Sequence, residues 1–581
     1  MEKIFTRLFK FLLLTVLVFS SQIIIPQTKA EKIESLLNEY HKFQVFNGSA
    51  LVAEDGKVIY KNGFGFANME WNIPNTTDTK FRVGSVTKQF TAMLIMQLVE
   101  EGKLKLDVPI TTYIPDYPKD KGDKITIHHL LTHTSGIPNY TSLPTLNDFM
   151  RDPITPLDLV KIFWDLPLDF EPGEKFSYSN SGYIVLGYII EKVTGESYED
   201  VLKEKIFEPL GITDSGYDHT EIIIPKRASG YDKVGTDYFN TSYLDMSVPY
   251  SAGSIYSTVE DLYLWDQALY TEKLLSKEYL DKMFTPYAKP SFADGYGYGW
   301  TLDKKHFDNV DDSLNIIRHG GSINGFNALI LRITNSKDLI VLLNNTGGTD
   351  LDGISNKIID ILYDQPYELP EKPLLLSFAE ILKEKGIEDA EDFYSKKIED
   401  GEKIPERLMN MLGYSYLNRK QNKEALGIFK LNIKAYPESF NVYDSYGEAL
   451  MMNGDKEDAI INYKKSIEIN PHNDNGIEKL KELGVEVSIP EDVKVDPKVY
   501  DLLAGKYELN PQFIITVTKE DDKLFAQATG QPKVEIFPKS ELEYYLKVVN
   551  AQITFVKNEN GDIEKLILHQ NGQDMAAKKI E

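Results

Sequence analysis

The apolar residues in the first 364 positions of the chain follow two different periods. Some segments are short apolar runs of the kind that form strands, and others repeat apolar residues every three or four positions, as amphipathic helices do. The clearest strand runs cover 49–53, 57–60, 328–333 and 339–343, and the clearest helical patterns cover 87–101 and 182–193. This mixture predicts an α+β domain over residues 31–364.

The pattern becomes almost wholly helical after a charged, proline-bearing linker at 364–373. Six positions then recur at a period of 34 residues: Leu412, Gly413, Tyr416, Ala425, Phe429 and Pro437 are followed by Tyr446, Gly447, Leu450, Ala459, Tyr463 and Pro471. The period resembles the tetratricopeptide repeat, in which small residues let two antiparallel helices approach. We expect an all-α region at 374–484, with units at 406–439 and 440–473 and a degenerate unit before them.

A second proline-bearing linker at 485–497 leads into a tail with a third pattern. Short strand-like runs at 506–508, 513–517, 523–528, 544–549, 553–556 and 566–570 are separated by turn signals such as Asn560-Gly561. The tail is therefore predicted to be a small all-β domain.

The first thirty residues have the layout of a secretory signal peptide. Lys3, Arg7 and Lys10 precede an apolar run at 11–19, and Thr28-Lys29-Ala30 offers small residues at the cleavage site. Removal of residues 1–30 would leave an exported chain, periplasmic or extracellular, with no later segment apolar enough to span a membrane. An uncleaved anchor is the alternative.

Composition excludes several classes of chemistry. The chain has 64 Lys and Arg against 89 Asp and Glu, a formal net charge of −25, which repels nucleic acid. Cysteine is absent from the sequence, which excludes thiolate catalysis, disulfides and thiolate metal sites. No cofactor is implied, and a nucleophile has to be a different side chain.

The first candidate motif is Ser85-x-x-Lys88, which opens an apolar helix. Three residues along a helix place both side chains on one face. A serine hydroxyl needs a base to become a nucleophile, and a lysine amine desolvated by burial has a lowered pKa. The alternative is an N-cap serine with a surface lysine.

A second and a third motif lie farther along the chain. Tyr178-x-Asn180 stands in a loop between a Pro-Gly turn and an apolar helix, where a tyrosine hydroxyl could relay a proton. The stretch 318–325 precedes an apolar strand, and its glycines would admit a substrate close to the backbone. The Ser322 N–H would then be a second oxyanion donor beside that of Ser85.

In order and spacing, the three motifs resemble those of the serine β-lactamase-like superfamily, which includes class C β-lactamases, penicillin-binding proteins, esterases and D-amino-acid peptidases. Supporting phrases lie at 130–136, 251–258 and 296–300. The resemblance spans nearly all of 31–364 and implies a β-lactamase/transpeptidase-like fold. The opening of the tail, Leu503 to Tyr507, resembles the lipocalin-like β domain often appended to such hydrolases.

The resemblance also implies roles for individual residues. It implies Ser85 as the acylated nucleophile, Lys88 and Tyr178 as the proton-transfer pair, Asn180 as a substrate-side hydrogen-bonding residue, and His319, Gly320, Gly321 and Ser322 as the third motif and oxyanion strand. Whether Lys88 or Tyr178 is the general base stays open.

One departure from the family pattern bears on the substrate. His319-Gly320-Gly321 stands where β-lactamases and carboxypeptidases usually have Lys-Thr-Gly. A lysine suits a substrate carboxylate, whereas histidine is mostly neutral at pH 7. We therefore expect small esters or D-amino-acid amides and peptides as substrates ahead of β-lactams or peptidoglycan peptides.

Two competing interpretations remain. His129 and His133 have the spacing of two zinc ligands on a helix, but Leu130 stands where a zincin has Glu, so no metal site is predicted. A non-catalytic receptor with this fold, which would bind a protein or peptide through the repeats, is the rival to an exported serine hydrolase. The repeats could equally be a spacer that positions the β domain.

Overall fold

The structure, a computed structural model, describes residues 27–308, 313–487, 493, 495–510, 513–529, 531, 533–546, 551–558, 560–570 and 573–580. Most of the predicted signal segment lies outside the described residues. The first described helix is Lys29–Lys42, capped by Thr28, so the predicted cleavage point after Ala30 falls in its first turn. Within the described ranges, no helix has the length and hydropathy needed to cross a bilayer.

A seven-stranded antiparallel sheet forms the centre of the first domain. Its strands lie in the order Gly295–Tyr296, Thr301–Lys305, Leu314–Ile323, Phe326–Ile333, Asp338–Asn344, Gly48–Glu54 and Lys57–Gly63. The five C-terminal strands pair in the order in which they occur in the chain. The N-terminal hairpin of Gly48–Glu54 and Lys57–Gly63 then pairs with the last of them, Asp338–Asn344. The four strands predicted from sequence are all in this sheet.

Helices cover both faces of the sheet, which is why its central strands are apolar throughout. Helices Lys29–Lys42 and Leu351–Leu362 pack on one face. On the other face, helices Thr87–Glu100 and Asn180–Thr194 are the centre of a larger helical layer. The other helices of this domain are Lys119–Gly122, Ile127–Leu131, Leu146–Phe149, Pro156–Trp164, Tyr198–Leu202, Glu208–Leu210, Tyr250–Gly253, Val259–Ala268 and Lys277–Met283.

Short elements complete the domain. The single-turn helices are Gly84–Val86, Ile110–Thr112, Tyr140–Ser142 and Lys203–Phe207. The small sheets pair Phe66–Asn68 with Ile73–Pro74, Ile255–Ser257 with Phe81–Arg82 and Gly216–Tyr217, and Tyr231–Val234 with Asp237–Asn240. The observed α+β architecture agrees with the predicted fold class.

Helical hairpins follow the first domain. Their helices are Leu374–Lys385, Ile387–Glu399, Glu406–Asn418, Asn422–Ala435, Phe440–Asn453, Lys456–Ile469 and Asp474–Glu482. A Cβ atom on Gly413 would lie 2.7 Å from the Phe429 ring, and one on Gly447 would lie 3.0 Å from the Tyr463 ring. The same close approach thus recurs after one 34-residue period.

The C-terminal residues form a closed eight-stranded barrel. Its strands are Gly505–Asn510, Phe513–Glu520, Lys523–Ala528, Val534–Pro538, Glu543–Leu546, Ala551–Lys557, Ile563–Gln570 and Gln573–Lys579, preceded by the helix Pro497–Leu503. The all-β prediction is correct, but the sequence patterns missed this helix and the strands Val534–Pro538 and Gln573–Lys579. Part of the strand expected at 544–549 lies outside the described residues.

The three regions contact one another. Asp237, on a hairpin of the first domain, pairs with Lys383 and Arg419 of the helical region at 3.2 and 2.7 Å. The ring of His472 in the helical region stacks on Tyr545 of the barrel, with centroids 4.9 Å apart. The helical region therefore bridges the first domain and the barrel.

Candidate active site

Ser85 and Lys88 lie where a short strand turns into a buried helix. Ser85 is the middle residue of the turn Gly84–Val86, and Lys88 lies in the first turn of helix Thr87–Glu100. Gly84 has a φ of +51°, a conformation that glycine adopts at little cost. This geometry brings Lys88 Nζ within 3.0 Å of Ser85 Oγ.

The Lys88 amine is fully buried, and no carboxylate pairs with it in the described part of the chain. Its Nζ lies 2.8 Å from Asn180 Oδ1 and 2.9 Å from the Ala252 carbonyl oxygen. Desolvation lowers the pKa of Lys88 well below its ordinary value. In its neutral form, which desolvation favours, the amine donates its two N–H groups to these two oxygens and directs its lone pair at the Ser85 hydroxyl.

Tyr178 and Asn180 reach the same point from the start of a second buried helix. Asn180 is the first residue of helix Asn180–Thr194, and its Nδ2 lies 3.2 Å from Thr141 Oγ1. The Tyr178 ring packs against Lys88 Nζ, with the nitrogen 5.0 Å from the ring centroid. Burial raises the pKa of Tyr178, and the Ser85 hydroxyl partly offsets that rise.

A chain of hydrogen bonds fixes the protonation of His319. The Ser179 backbone N–H donates to His133 Nδ1 at 3.1 Å, so neutral His133 carries its proton on Nε2, 3.1 Å from the Tyr296 hydroxyl. That hydroxyl is then free to donate to His319 Nε2 at 3.0 Å, and His319 Nδ1–H donates to the Gly320 carbonyl at 2.6 Å.

Burial lowers the pKa of His319 to about 3. His319 is therefore neutral across the physiological pH range. A lysine at this position is expected to be charged and a histidine mostly neutral. Burial of His319 adds to this difference, because it disfavours the charged form.

The third motif lies on the last residues of strand Leu314–Ile323, directly against the Ser85 turn. A Cβ atom on Gly321 would meet the Val83 carbonyl oxygen at 1.9 Å and the Ser85 nitrogen at 3.1 Å. A Cβ atom on Gly84 would lie 3.0 Å from the Ser322 nitrogen. Glycine at both positions lets the backbones approach, which brings the Ser85 and Ser322 amides to one opening.

Ser85 lies between two cavities. One has a volume of about 210 Å³ and an apolar wall that includes Leu146, Met150, Leu244 and Val248. The other has a volume of about 480 Å³ and is lined by polar groups that include Tyr178, Arg318, His319, Asp350 and Asp352. Ser85 and Ser322 line both cavities, so a substrate that spans them would present its central carbonyl to these two residues.

The histidines of the competing zinc interpretation have other partners. His128 Nδ1 contacts the Tyr298 hydroxyl at 2.8 Å, and His129 Nδ1 accepts the Thr126 N–H at 3.3 Å. His133 is committed to Ser179 and Tyr296, as described above. Over the ranges that the structure describes, His, Cys, Asp and Glu form no group of three or more arranged to hold a metal ion.

Sequence motifs did not identify three groups of this site. The Ala252 carbonyl holds Lys88, and His133 and Tyr296 orient His319. All three lie in the supporting phrases at 130–136, 251–258 and 296–300, so the phrases located them without assigning a role.

Comparison with known proteins identifies the family of the first domain. Residues 33–363 match the family model described as Beta-lactamase, and the chain belongs to this family. Residues 490–579 match a model described as a domain of unknown function, DUF3471.

Two curated relatives cover the first domain. Penicillin-binding protein 4* of Bacillus subtilis is 32% identical over 365 residues, which are 60% of this chain and 79% of that protein. The teichoic acid D-alanine hydrolase of Staphylococcus aureus is 28% identical over 334 residues, 57% of this chain and 78% of that protein.

Solved structures give the same result. A penicillin-binding protein from Bacillus halodurans superposes with a TM-score of 0.50 and 29% identity, covering 56% of this chain and 98% of its own. A D-amino acid amidase from Ochrobactrum anthropi superposes with a TM-score of 0.50 and 28% identity, covering 58% of this chain and 97% of its own. The protein is therefore a serine hydrolase with a β-lactamase-like domain.

Proposed function

We propose that the protein hydrolyses small esters and D-amino-acid amides or peptides through an acyl-enzyme on Ser85. The observation that carries this proposal is the 3.0 Å contact between Ser85 Oγ and the buried Lys88 amine, at the junction of an apolar and a polar cavity. A neutral amine facing a serine hydroxyl can accept its proton, and this makes the serine oxygen an activated nucleophile.

In the acylation step, Ser85 Oγ attacks the substrate carbonyl carbon and its proton passes to Lys88 Nζ. The carbonyl oxygen becomes an oxyanion that accepts hydrogen bonds from the Ser85 and Ser322 amides. The proton then reaches the leaving atom by way of the Tyr178 hydroxyl, and the bond between the carbonyl carbon and that atom breaks. Asn180 hydrogen-bonds the acyl side of the substrate.

In the deacylation step, water replaces the leaving group. The same pair of side chains removes a proton from water, which attacks the acyl carbon, and the proton returns to Ser85 Oγ as the ester bond breaks. Because Tyr178 has a raised pKa, it acts in its neutral form as a relay, which favours Lys88 as the group that accepts the proton first.

The charge of the polar cavity supports an uncharged group next to the scissile bond. His319 is neutral, and Arg318 already pairs with Asp303 at 2.9 Å and with Asp352 at 2.5 Å. A carboxylate in this cavity would therefore find no unpaired cation among the described residues that line it. The names of the relatives, a D-alanine hydrolase and a D-amino acid amidase, support D-amino acyl substrates.

Labelling with a fluorophosphonate tests the nucleophile. Intact mass should show one adduct on the wild type and none on Ser85→Ala, whereas Ser322→Ala, which retains the backbone amide, should still be labelled. Equal hydrolysis of p-nitrophenyl esters by wild type and Ser85→Ala would instead support the receptor interpretation.

A substrate panel tests the specificity. p-Nitrophenyl acetate and D-alanyl-p-nitroanilide should be turned over with higher kcat/KM than nitrocefin and D-alanyl-D-alanine peptides. If nitrocefin proved the best substrate, the argument from the neutral His319 would be wrong.

The remaining regions have proposed roles that fit this activity. We assign residues 1–30 as an export signal, which places the hydrolase in the periplasm or outside the cell. The hairpins at 374–484 are taken as tetratricopeptide-like repeats that act as a spacer for a lipocalin-like barrel at 499–581. The 34-residue recurrence of the Gly413 and Gly447 contacts supports the repeat assignment.

A further inference from the structure

The outer face of the C-terminal barrel lies against two loops of the hydrolase domain. Between them is a cavity of about 560 Å³. On the hydrolase side its walls are the stretches 174–178 and 289–292, and on the barrel side they are Phe513, Ile514, Thr516, Gln527, Ala528, Thr529 and Gln531. The first stretch ends in Tyr178, which belongs to the candidate active site.

This cavity adjoins the polar cavity beside Ser85. Tyr178 and Phe292 line both spaces. A substrate that fills the polar cavity would therefore enter the barrel cavity past these two rings if it were longer.

The position of Tyr178 decides which part of a substrate extends toward the barrel. In the proposed reaction Tyr178 passes a proton to the leaving atom, so that atom has to lie within hydrogen-bond distance of its hydroxyl. Tyr178 lines the polar cavity and the barrel cavity, and it is not among the residues that line the apolar one. The leaving group consequently points toward the barrel, and the acyl side chain toward the apolar cavity.

The lining of the barrel cavity indicates its chemistry. Alternation along the barrel strands turns Ile515 and Ala526 inward and Thr516 and Gln527 outward into the cavity. Hydroxyl and amide groups of this kind bind the N–H and C=O groups of a peptide.

The cavity also differs in charge from the rest of the molecule. Lys175 and Lys289 line it and form no salt bridge among the described residues; Lys175 Nζ lies over the Phe170 ring, 5.1 Å from its centroid, and Glu174 is the one carboxylate in the lining. The chain as a whole has a net charge of −25, which disfavours anions elsewhere. Two lysines without a salt bridge here favour a group with negative charge.

From these observations we infer that the barrel forms the outer wall of a leaving-group subsite, which takes an extended peptide leaving group that ends in a carboxylate. The inference rests on the proposed hydrolase function and adds the part of the substrate beyond the scissile bond. The barrel thereby selects extended peptides over small substrates without touching the reacting atoms.

Three D-alanyl substrates test the inference in the full-length protein. D-Alanyl-p-nitroanilide has a small leaving group, D-alanyl-triglycine has an extended one with a carboxylate, and D-alanyl-triglycine amide has the same length without the charge. Three extended residues span roughly 10 Å, so this leaving group extends well beyond the scissile bond. Wild type should prefer the carboxylate peptide.

Two variants separate the wall from its charge. Gln527→Trp fills the cavity and should lower kcat/KM for D-alanyl-triglycine about tenfold, which corresponds to about 1.4 kcal/mol of lost binding. The kcat/KM for the anilide should stay within about twofold, because its leaving group does not reach the cavity. Lys523→Trp is the matched control, because Lys523 lies on the same strand but not in the cavity. Lys289→Glu should reverse the preference between triglycine and its amide.

The outcomes distinguish this inference from the proposed function. A wild type that turns over none of the three substrates would defeat both. A wild type that hydrolyses all three at similar kcat/KM, or variants in which the anilide and the peptides change in parallel, would overturn the subsite alone. Because Lys289 is on an exposed loop, its variant tests the inference even if Gln527→Trp does not fold.

Discussion

At the scale of single residues, Lys88 combines burial with a function that requires it to be neutral. The amine is excluded from water and is held by carbonyl oxygens of Asn180 and Ala252, which do not compensate a positive charge as a carboxylate would. Desolvation therefore favours the neutral form of Lys88, which can act as a base next to Ser85. Burial of this amine lowers the free energy of unfolding of the domain.

This cost predicts a pH dependence of stability. Lys88 has a lowered pKa in the folded state and an ordinary value of 10.5 when unfolded, so between these values the unfolded chain binds more protons. The free energy of unfolding should then rise with pH through that window, by up to about 1.4 kcal/mol per pH unit. Below the lowered pKa the penalty is complete, and above 10.5 it vanishes.

Urea denaturation at several pH values between 7 and 10 measures this effect as the difference between wild type and Lys88→Met. Lys233, whose pKa burial lowers to about 8, contributes equally to both proteins and cancels. Tryptophan fluorescence reports the right domain, because Trp71, Trp164, Trp265 and Trp300 all lie in it. Parallel stability curves for the two proteins would refute the assignment of Lys88 as a neutral buried amine.

A second residue-scale prediction concerns Tyr296. Tyr296→Phe removes the hydroxyl between His133 and His319, so His133 Nε2–H and His319 Nε2 both lose their partner. We expect kcat for a p-nitrophenyl ester to fall about tenfold, in line with the cost of an unmet buried hydrogen bond. Tyr298→Phe, which loses a contact with His128 outside the cleft, should stay near wild type, and equal losses in both variants would count against a specific role for Tyr296.

At the scale of elements, the approach of strand Leu314–Ile323 to the Ser85 turn sets the distance between the two proposed oxyanion donors. This approach depends on Gly321, since a Cβ atom there would lie 1.9 Å from the Val83 carbonyl oxygen. If the strand and the Ser85 turn moved apart at Gly321, the backbone amide of Ser85 or of Ser322 would move with them.

Gly321→Ala should therefore lower kcat by about a hundredfold or more, the usual effect of losing one oxyanion donor. Gly320→Ala is a matched control one residue away, because its Cβ atom would lie 3.8 Å from the Ala328 carbonyl oxygen, an ordinary van der Waals distance. Steady-state kinetics with a small ester compares the two. A similar loss in both variants would point to a general disturbance of the strand.

At the scale of the whole molecule, the proposed chemistry and the proposed selectivity lie in different domains. Ser85, Lys88, Tyr178 and His319 all lie before residue 364, whereas the barrel supplies one wall of the outer cavity. The helical region holds the barrel in place through contacts at both of its ends, including the pairs of Asp237 with Lys383 and Arg419.

Truncation tests this division. A chain that ends after Asp364, and one that ends after Gly484, should each fold and keep small-ester activity within about threefold of the full chain, because no wall of the reacting centre is lost. Both should lose the preference for D-alanyl-triglycine. Circular dichroism checks the fold, and loss of ester activity from a folded truncation would show that the tail completes the active site.

Local spacing determined much of this protein. Helix Thr87–Glu100 is one residue shorter than its predicted span, because the apolar period of a helix depends on neighbours within one or two helical turns. The 34-residue recurrence of small and aromatic residues located the helical hairpins. Ser85 and Lys88 meet for the same reason, since a single turn of backbone fixes their distance. The α+β and all-β patterns likewise followed from the period of apolar residues.

Contacts between distant segments were decided only in the tertiary structure. Strand Gln573–Lys579 has little apolar alternation and few β-branched residues, and it forms because it closes the barrel against Gly505–Asn510. The carbonyl that holds Lys88 comes from Ala252, 164 residues away, and the barrel reaches the cleft only through the hairpins between them. Such contacts depend on how whole elements pack against one another. Local sequence patterns describe only neighbouring residues and therefore do not predict them.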